Sequence, residues 1–195
     1  MRNHSTFFSL AFCFITSCCF AQNGDGVTGK YHKFSVYAGA GPSLFINNLQ
    51  ILKDQVKPFQ YAVSARFMWE PKNSMVSLGF ETGYYRLYSV ESTKPKANVV
   101  NTAVPLLFVV SMKFSKKFYA DWSMGQSLNY SKVSNTDSSY NFNSKTTSFA
   151  DFSATIGYRF VQKEKISYAA EIKGFYSSGY ENTTIALLFI VGFKL

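Results

Sequence analysis

Residues 59–69 read Phe-Gln-Tyr-Ala-Val-Ser-Ala-Arg-Phe-Met-Trp, and the parity of this stretch decides the fold. Phe59, Tyr61, Val63, Ala65, Phe67 and Trp69 share one side, while Gln60, Ser64 and Arg66 take the other. Successive side chains of an extended chain point to opposite faces, so a period of two means a strand with one apolar face. The aromatic and β-branched residues on that face also suit a pleated surface.

The same alternation recurs on both sides of this stretch. Residues 31–40 form an earlier segment. Residues 75–89 set Val76, Leu78, Phe80 and Tyr84 against Ser77, Gly79, Glu81 and Gly83. Residues 99–114 align Val100, Val104, Leu106, Phe108, Val110, Met112 and Phe114. Residues 118–130 oppose Phe118, Ala120, Trp122, Met124 and Leu128 to Asp121, Ser123, Ser127 and Asn129. Residues 147–160 oppose Phe152, Ala154, Ile156, Tyr158 and Phe160 to Asp151, Ser153, Thr155 and Arg159. Residues 166–177 oppose Ile166, Tyr168, Ala170 and Ile172 to Ser167, Glu171 and Lys173. Residues 183–195 carry an unbroken apolar row of Ile185, Leu187, Phe189, Val191, Phe193 and Leu195. Together these make eight segments. Pro105, in mid-segment, has no N–H for a ladder, so a bulge or local break is expected there.

Which face points inward separates a soluble barrel or sandwich from a membrane barrel. Aromatics make up 18% of the chain, and Phe and Tyr in such numbers would overfill an eight-stranded interior. The second face is small and polar, with paired charges, which fits a narrow lumen. The expected fold is therefore all-β, an eight-stranded antiparallel up-and-down transmembrane β-barrel with its aromatics facing lipid. After the N-terminus no run of about 18 apolar residues occurs, so spanning helices are not expected.

The connections support this. Residues 70–74, 115–117 and 161–165 are short, whereas 41–58, 90–98 and 131–146 are longer or more polar; the last connection, near 178–182, is short. Short periplasmic turns alternating with longer external loops are usual in outer-membrane barrels. An even strand count then places both termini in the periplasm. Trp69, Phe114, Phe118, Tyr158, Phe160 and Tyr168 sit beside the short turns, and Tyr84, Tyr88, Tyr130 and Tyr176 near the long loops. Two aromatic belts at membrane interfaces have this distribution.

Residues 1–21 read as a signal peptide: Arg2, an apolar run from Phe7 to Phe20, and Cys19-Phe20-Ala21 as a small-x-small cleavage site. Ile15-Thr16-Ser17-Cys18 is an alternative lipobox, which would lipidate Cys18. Residues 22–30 are a Gly-rich, flexible periplasmic leader, and 31–195 are the barrel. Cys13, Cys18 and Cys19 all lie in the leader, so after cleavage neither disulfides nor thiolate zinc sites are expected. Loss of Arg2 lowers the formal charge from +9 to +8. For an exported basic protein the available anions are lipopolysaccharide and peptidoglycan, and nucleic acid is not an expected partner.

The chain resembles the outer-membrane β-barrel families, including the small OmpA/OmpX-type barrels, and most of all the broad PorT-like barrel family. The residues that carry it are Gly39-Ala-Gly-Pro-Ser43, the run from Val104-Pro-Leu-Leu-Phe108 to Phe114, and the final strand. The resemblance implies that Ile185, Leu187, Phe189, Val191, Phe193 and Leu195 act as the signal for the barrel-assembly machinery. Leu195 departs from the Phe or Tyr that closes many members.

Little in the chain carries catalysis. His32 is the lone mature histidine, Gly39-Ala-Gly41 lacks the lysine and helix of a phosphate loop, and no cofactor or metal site is expected. The inward parity instead collects Arg66, Lys113, Arg159 and Lys173 with Glu81, Asp121, Asp151 and Glu171. Hairpin arithmetic places Arg66 diagonal to Glu81, Lys113 diagonal to Asp121 and Asp151 diagonal to Lys173, so ion pairs are expected to plug the lumen. Leu44, Phe45, Ile46, Leu49, Ile51 and Leu52 either extend the first strand or form a docking lid. Four roles stay open: a structural or partner-binding barrel, an accessory of a secretion or transport assembly as PorT-like kinship implies, a narrow solute pore, and an enzyme. Outer-membrane lipid, lipopolysaccharide, the assembly machinery and an envelope protein are the expected partners.

Overall fold

A computed structural model describes residues 33–46, 56–71, 74–93, 96–135, 142–179 and 182–195. The segments expected to be signal peptide and leader, together with His32, the three cysteines, and Leu49, Ile51 and Leu52, lie outside the described residues. The strands are β1 (Lys33–Ile46), β2 (Val56–Lys57), β3 (Phe59–Glu70), β4 (Val76–Thr93), β5 (Lys96–Lys113), β6 (Phe118–Asn135), β7 (Phe142–Gln162), β8 (Ile166–Ser177) and β9 (Asn182–Lys194). From β3 onward each pairs antiparallel with its chain neighbour, β1 pairs with β3, and β1 also pairs with β9, which closes the sheet into a barrel. β2 pairs with β4 as the far end of the β3 strand, set off by Pro58, so the barrel has eight strands. Among the described residues no helix is long and apolar enough to cross a membrane.

The alternation survives closure. Phe80 is 59% exposed, Leu106 65%, Ile156 68% and Leu187 55%, and each is flanked in its own strand by inward residues that are buried or half-buried. A continuous apolar band of this kind far exceeds what a water-soluble surface tolerates, and lipid is the solvent that removes the penalty. Cross-strand rings gather at two levels. Toward the short turns Phe34 stacks on Phe67, Phe118 lies against Tyr158, and Phe160 meets Tyr168 and Phe189. Toward the other end Tyr61 stacks on Tyr84, and Phe152 sits between Trp122 and Tyr176.

Several expectations need correction. The connections expected at 90–98 and 131–146 are mostly strand, because β4 runs on to Thr93, β5 begins at Lys96, β6 ends at Asn135 and β7 begins at Phe142. Polar, Ser- and Thr-rich sequence there pairs backbone to backbone beyond the apolar band. β1 likewise continues through Leu44 and Phe45 to Ile46. β4 to β7 have 18, 18, 18 and 21 residues, against 12 to 14 in β1, β3, β8 and β9. At about 3.3 Å per residue the long strands reach roughly 60 Å.

Pro105 does not break its strand. Its pairing with Ser127 of β6 is in register, and only the β4 side lapses, between Thr82↔Leu106 and Tyr85↔Ala103. The missing N–H thus removes pairing on one side and leaves the face of every residue unchanged. Register shifts lie elsewhere: in β4–β5 between Arg86 and Tyr88, in β6–β7 between Gly125 and Ser127, and in β7–β8 between Arg159 and Val161.

Candidate functional site in the barrel lumen

Away from the register shifts every second residue of each strand projects into the barrel, and the inward set assembles in layers. In the middle layer the Arg66 guanidinium, from β3, donates through Nη1 to Asp121 of β6 and through Nη2 to Glu171 of β8. Tyr119 donates its hydroxyl to the same Glu171 oxygen at 2.5 Å. Lys173 of β8 donates to Glu81 of β4, whose Oε1 also accepts from Tyr85 at 3.3 Å. All five charged side chains are buried, Lys173 completely. Three carboxylates here face two cations, and the two tyrosine hydroxyls supply further donors.

Toward the loops the lumen is filled differently. Tyr85 and Phe175 stack with centroids 4.8 Å apart, and Phe45 packs on Tyr88 at 4.6 Å. Leu87, Leu107 and Leu188 are also buried in the interior, and Val109 and Ile190, paired with Gly79 and Ala169, carry the apolar filling down beside the charged layer. Asp151 accepts from Ser148 at 2.5 Å and from the Ser178 amide at 2.8 Å, which ties β7 to the β8–β9 turn.

At the turn end Glu70 accepts from Tyr37 and from Lys113, each at 2.5 Å. Arg159 lies over Tyr119, 4.7 Å from the ring centroid, and over Tyr37 at 5.9 Å. Below them a mouth of about 270 Å³ opens, lined by Lys33, Lys113, Lys116, Arg159 and Lys194 around Glu70. The space directly above it, between Arg66 and Arg159, is only about 10 Å³, close to the minimum for one water.

The expected ion-pair residues all face inward, but they pair differently. Arg66 stands directly opposite Glu81 in the β3–β4 ladder and not diagonal to it, because the hairpin turn is two residues longer than expected; Arg66 nevertheless bonds Asp121 and Glu171. Lys113 faces Tyr119 as expected, yet bonds Glu70 and not Asp121. In β7–β8 the strands pair as far as Gln162↔Ser167, a shift of three residues from the expected register that the bulge reduces to two, so Lys173 stands opposite Thr155, farther from Asp151 than expected, and bonds Glu81 across the lumen. Arg159 contacts tyrosine rings in place of a carboxylate. Asp151 serves backbone and serine donors.

Sequence reasoning missed Glu70, assigned to a turn although it shares parity with Arg66. It also missed the apolar part of the interior, since the expected lumen was small and polar. The signal was present: Val104–Val110 and Ala186–Val191 are continuous apolar runs, the mark of strands buried on both faces. Glycines make room for the large inward side chains. A Cβ at Gly157 would fall on the Tyr119 ring, and one at Gly192 on the Tyr37 ring. Among the described residues no group of three His, Cys, Asp or Glu side chains is placed to hold a metal ion.

Closure, inward charge and outward aromatics together match a known architecture. The fold is that of the small outer-membrane β-barrels. Ail, the attachment invasion locus protein of Yersinia pestis, solved with the heparin analogue sucrose octasulfate, superposes with a TM-score of 0.55 at 10% identity, covering 84% of this chain and 99% of Ail. A major outer membrane protein of Thermus thermophilus gives 0.57 at 12% identity, covering 84% and 99%. Neisserial surface protein A gives 0.50 at 13% identity, covering 83% and 97%. No protein-family model matches the chain. No curated protein matches it in sequence.

Proposed function

We propose that this chain is an integral outer-membrane protein whose lumen is sealed by its own side chains, with a structural or partner-binding role and no catalytic one. The observation that carries this reading is the middle layer, where Arg66, Lys173, Glu81, Asp121 and Glu171 bond across the barrel and fill its width. A solute path would have to part charges held in a dry interior, where an unpaired charge costs several kcal/mol. The role then belongs to surfaces outside the apolar band. The tall strands β4 to β7 support a partner-facing role, because their loop-end portions carry Lys132, Asn143, Ser144 and Lys145 beside the exposed rings of Tyr130 and Phe142. In this reading the short turns and both termini face the periplasm.

Planar-bilayer recording tests the seal. The purified barrel is expected to show no large, steady channels, and such channels in the wild type would overturn the reading. Partner binding is tested by crosslinking from Lys132 and Lys145 in intact cells against a crosslink from Lys163 in a short turn. Equal or no capture by both positions would remove the tall strands as the docking surface.

A further inference from the structure

The turn-end mouth concentrates positive charge that the barrel itself does not neutralise. Lys33, Lys113, Arg159 and Lys194 arrive from β1, β5, β7 and β9, and Lys116 from the turn after β5, so the cluster is a product of closure and not of one basic run. Among the described residues Glu70 is the one carboxylate side chain in the lining, and its two oxygens are already held by Tyr37 and Lys113. Among the described residues Lys33, Lys116, Arg159 and Lys194 form no salt bridge with a carboxylate. The neighbouring turns add Lys117, Lys163 and Lys165 against Glu164 alone. Like charges gathered around a concavity raise the local concentration of anions.

The size and donors of the cavity narrow the ligand. A volume of about 270 Å³ lies below the roughly 300–1,000 Å³ of sites for drug-sized molecules, and suits a compact group. A single carboxylate would satisfy one of these cations. A phosphate offers more oxygens and up to two charges, and so can accept from several converging ammonium groups and a guanidinium at once. We propose that the turn-end mouth binds a phosphate group, with Lys116, Arg159 and Lys194 as its principal donors. The phosphate comes either from a free small molecule or from an anionic phospholipid headgroup of the adjacent leaflet. The site does not depend on whether the lumen is sealed, since it lies below the layer that seals it.

The test uses the full mature barrel, in neutral detergent and in nanodiscs. Inorganic phosphate is titrated calorimetrically in detergent, and lipid retained from phosphatidylglycerol or phosphatidylcholine nanodiscs is read by native mass spectrometry. Arg159 also rests on Tyr119 and Tyr37, so the decisive variant is Lys116→Gln with Lys194→Gln, which leaves those rings alone. The control is Lys117→Gln with Lys163→Gln, cations of the same end of the barrel outside the cavity. Binding of inorganic phosphate that falls at least tenfold in the mouth variant and less than twofold in the control establishes the site with a free phosphate as source. Phosphatidylglycerol retention that follows the same pattern, without calorimetric binding of phosphate, establishes it with a headgroup. If neither probe binds, or if mouth and control variants lose binding equally, the proposal fails. Retained heat-modifiable migration on detergent gels shows that each variant is folded.

Discussion

In the middle of the lumen Arg66 and Lys173 are enclosed by Glu81, Asp121 and Glu171, whereas at the turn-end mouth Lys33, Lys116, Arg159 and Lys194 face a single carboxylate already engaged by Lys113 and Tyr37. The same residue types obey opposite rules a few residues apart. Inside, desolvation makes an unmatched charge costly, so cations and carboxylates must meet. At the mouth water supports each ammonium group, so a surplus is tolerated and stays available to a ligand. Burial, not composition, decides which charges are structural.

The largest expected effect breaks the enclosed side of this comparison. Lys173→Met strands Glu81 in the interior and should cost about 3–5 kcal/mol, read by urea unfolding from lipid vesicles. Pairing it with Glu81→Leu should recover most of that loss, and failure to recover would show that the pair is not the source. Next is Gly157→Ala, which drives a methyl group into the Tyr119 ring and disturbs its bond to Glu171. Overpacking of this kind should cost about 1–3 kcal/mol in the same assay. On the outer wall, Phe189→Asp puts charge mid-row against lipid and should cost about 2 kcal/mol, while Phe193→Asp, nearer the turns, should cost about 1 kcal/mol. An inverted order would mean that the lipid band sits lower on the barrel. The smallest effect sharpens the other side: Lys194→Gln at the mouth should change unfolding stability by about 0.5 kcal/mol or less. A cost near that of Lys173→Met would mean that the mouth is as dry as the layer above it.

The outer wall was legible in the sequence almost residue by residue. Phe59, Phe67, Phe80, Phe108, Trp122, Ile156 and Phe189 all face outward because strand parity is a local property of the backbone. Interruptions that were expected to upset it did not. Pro105 loses pairing on one side only, and parity holds from Val104 to Met112. The lengths of β4 to β7 were misread because polar residues beyond the lipid band give no apolar alternation to count, although their backbones pair as well as any. The inward apolar residues Leu107, Val109, Leu188 and Ile190 were overlooked although their parity was read correctly, because the second face was taken to be small and polar throughout.

Which side chains enter the barrel was written into the chain order: covalent geometry alternates them, and the apolar half seeks lipid. Whom they meet was settled by closure alone. The expected partners were hairpin neighbours, but Arg66 on β3 reaches Asp121 on β6 and Glu171 on β8, and Lys173 on β8 reaches Glu81 on β4. Those pairs are separated by 55, 105 and 92 residues. An eight-stranded barrel is narrow enough that side chains fill its interior and span it. Closure therefore makes strands on opposite walls neighbours through the lumen. Because the depth of each charge is set by stagger and bulges around the whole ring, no single hairpin contains the information that pairs them.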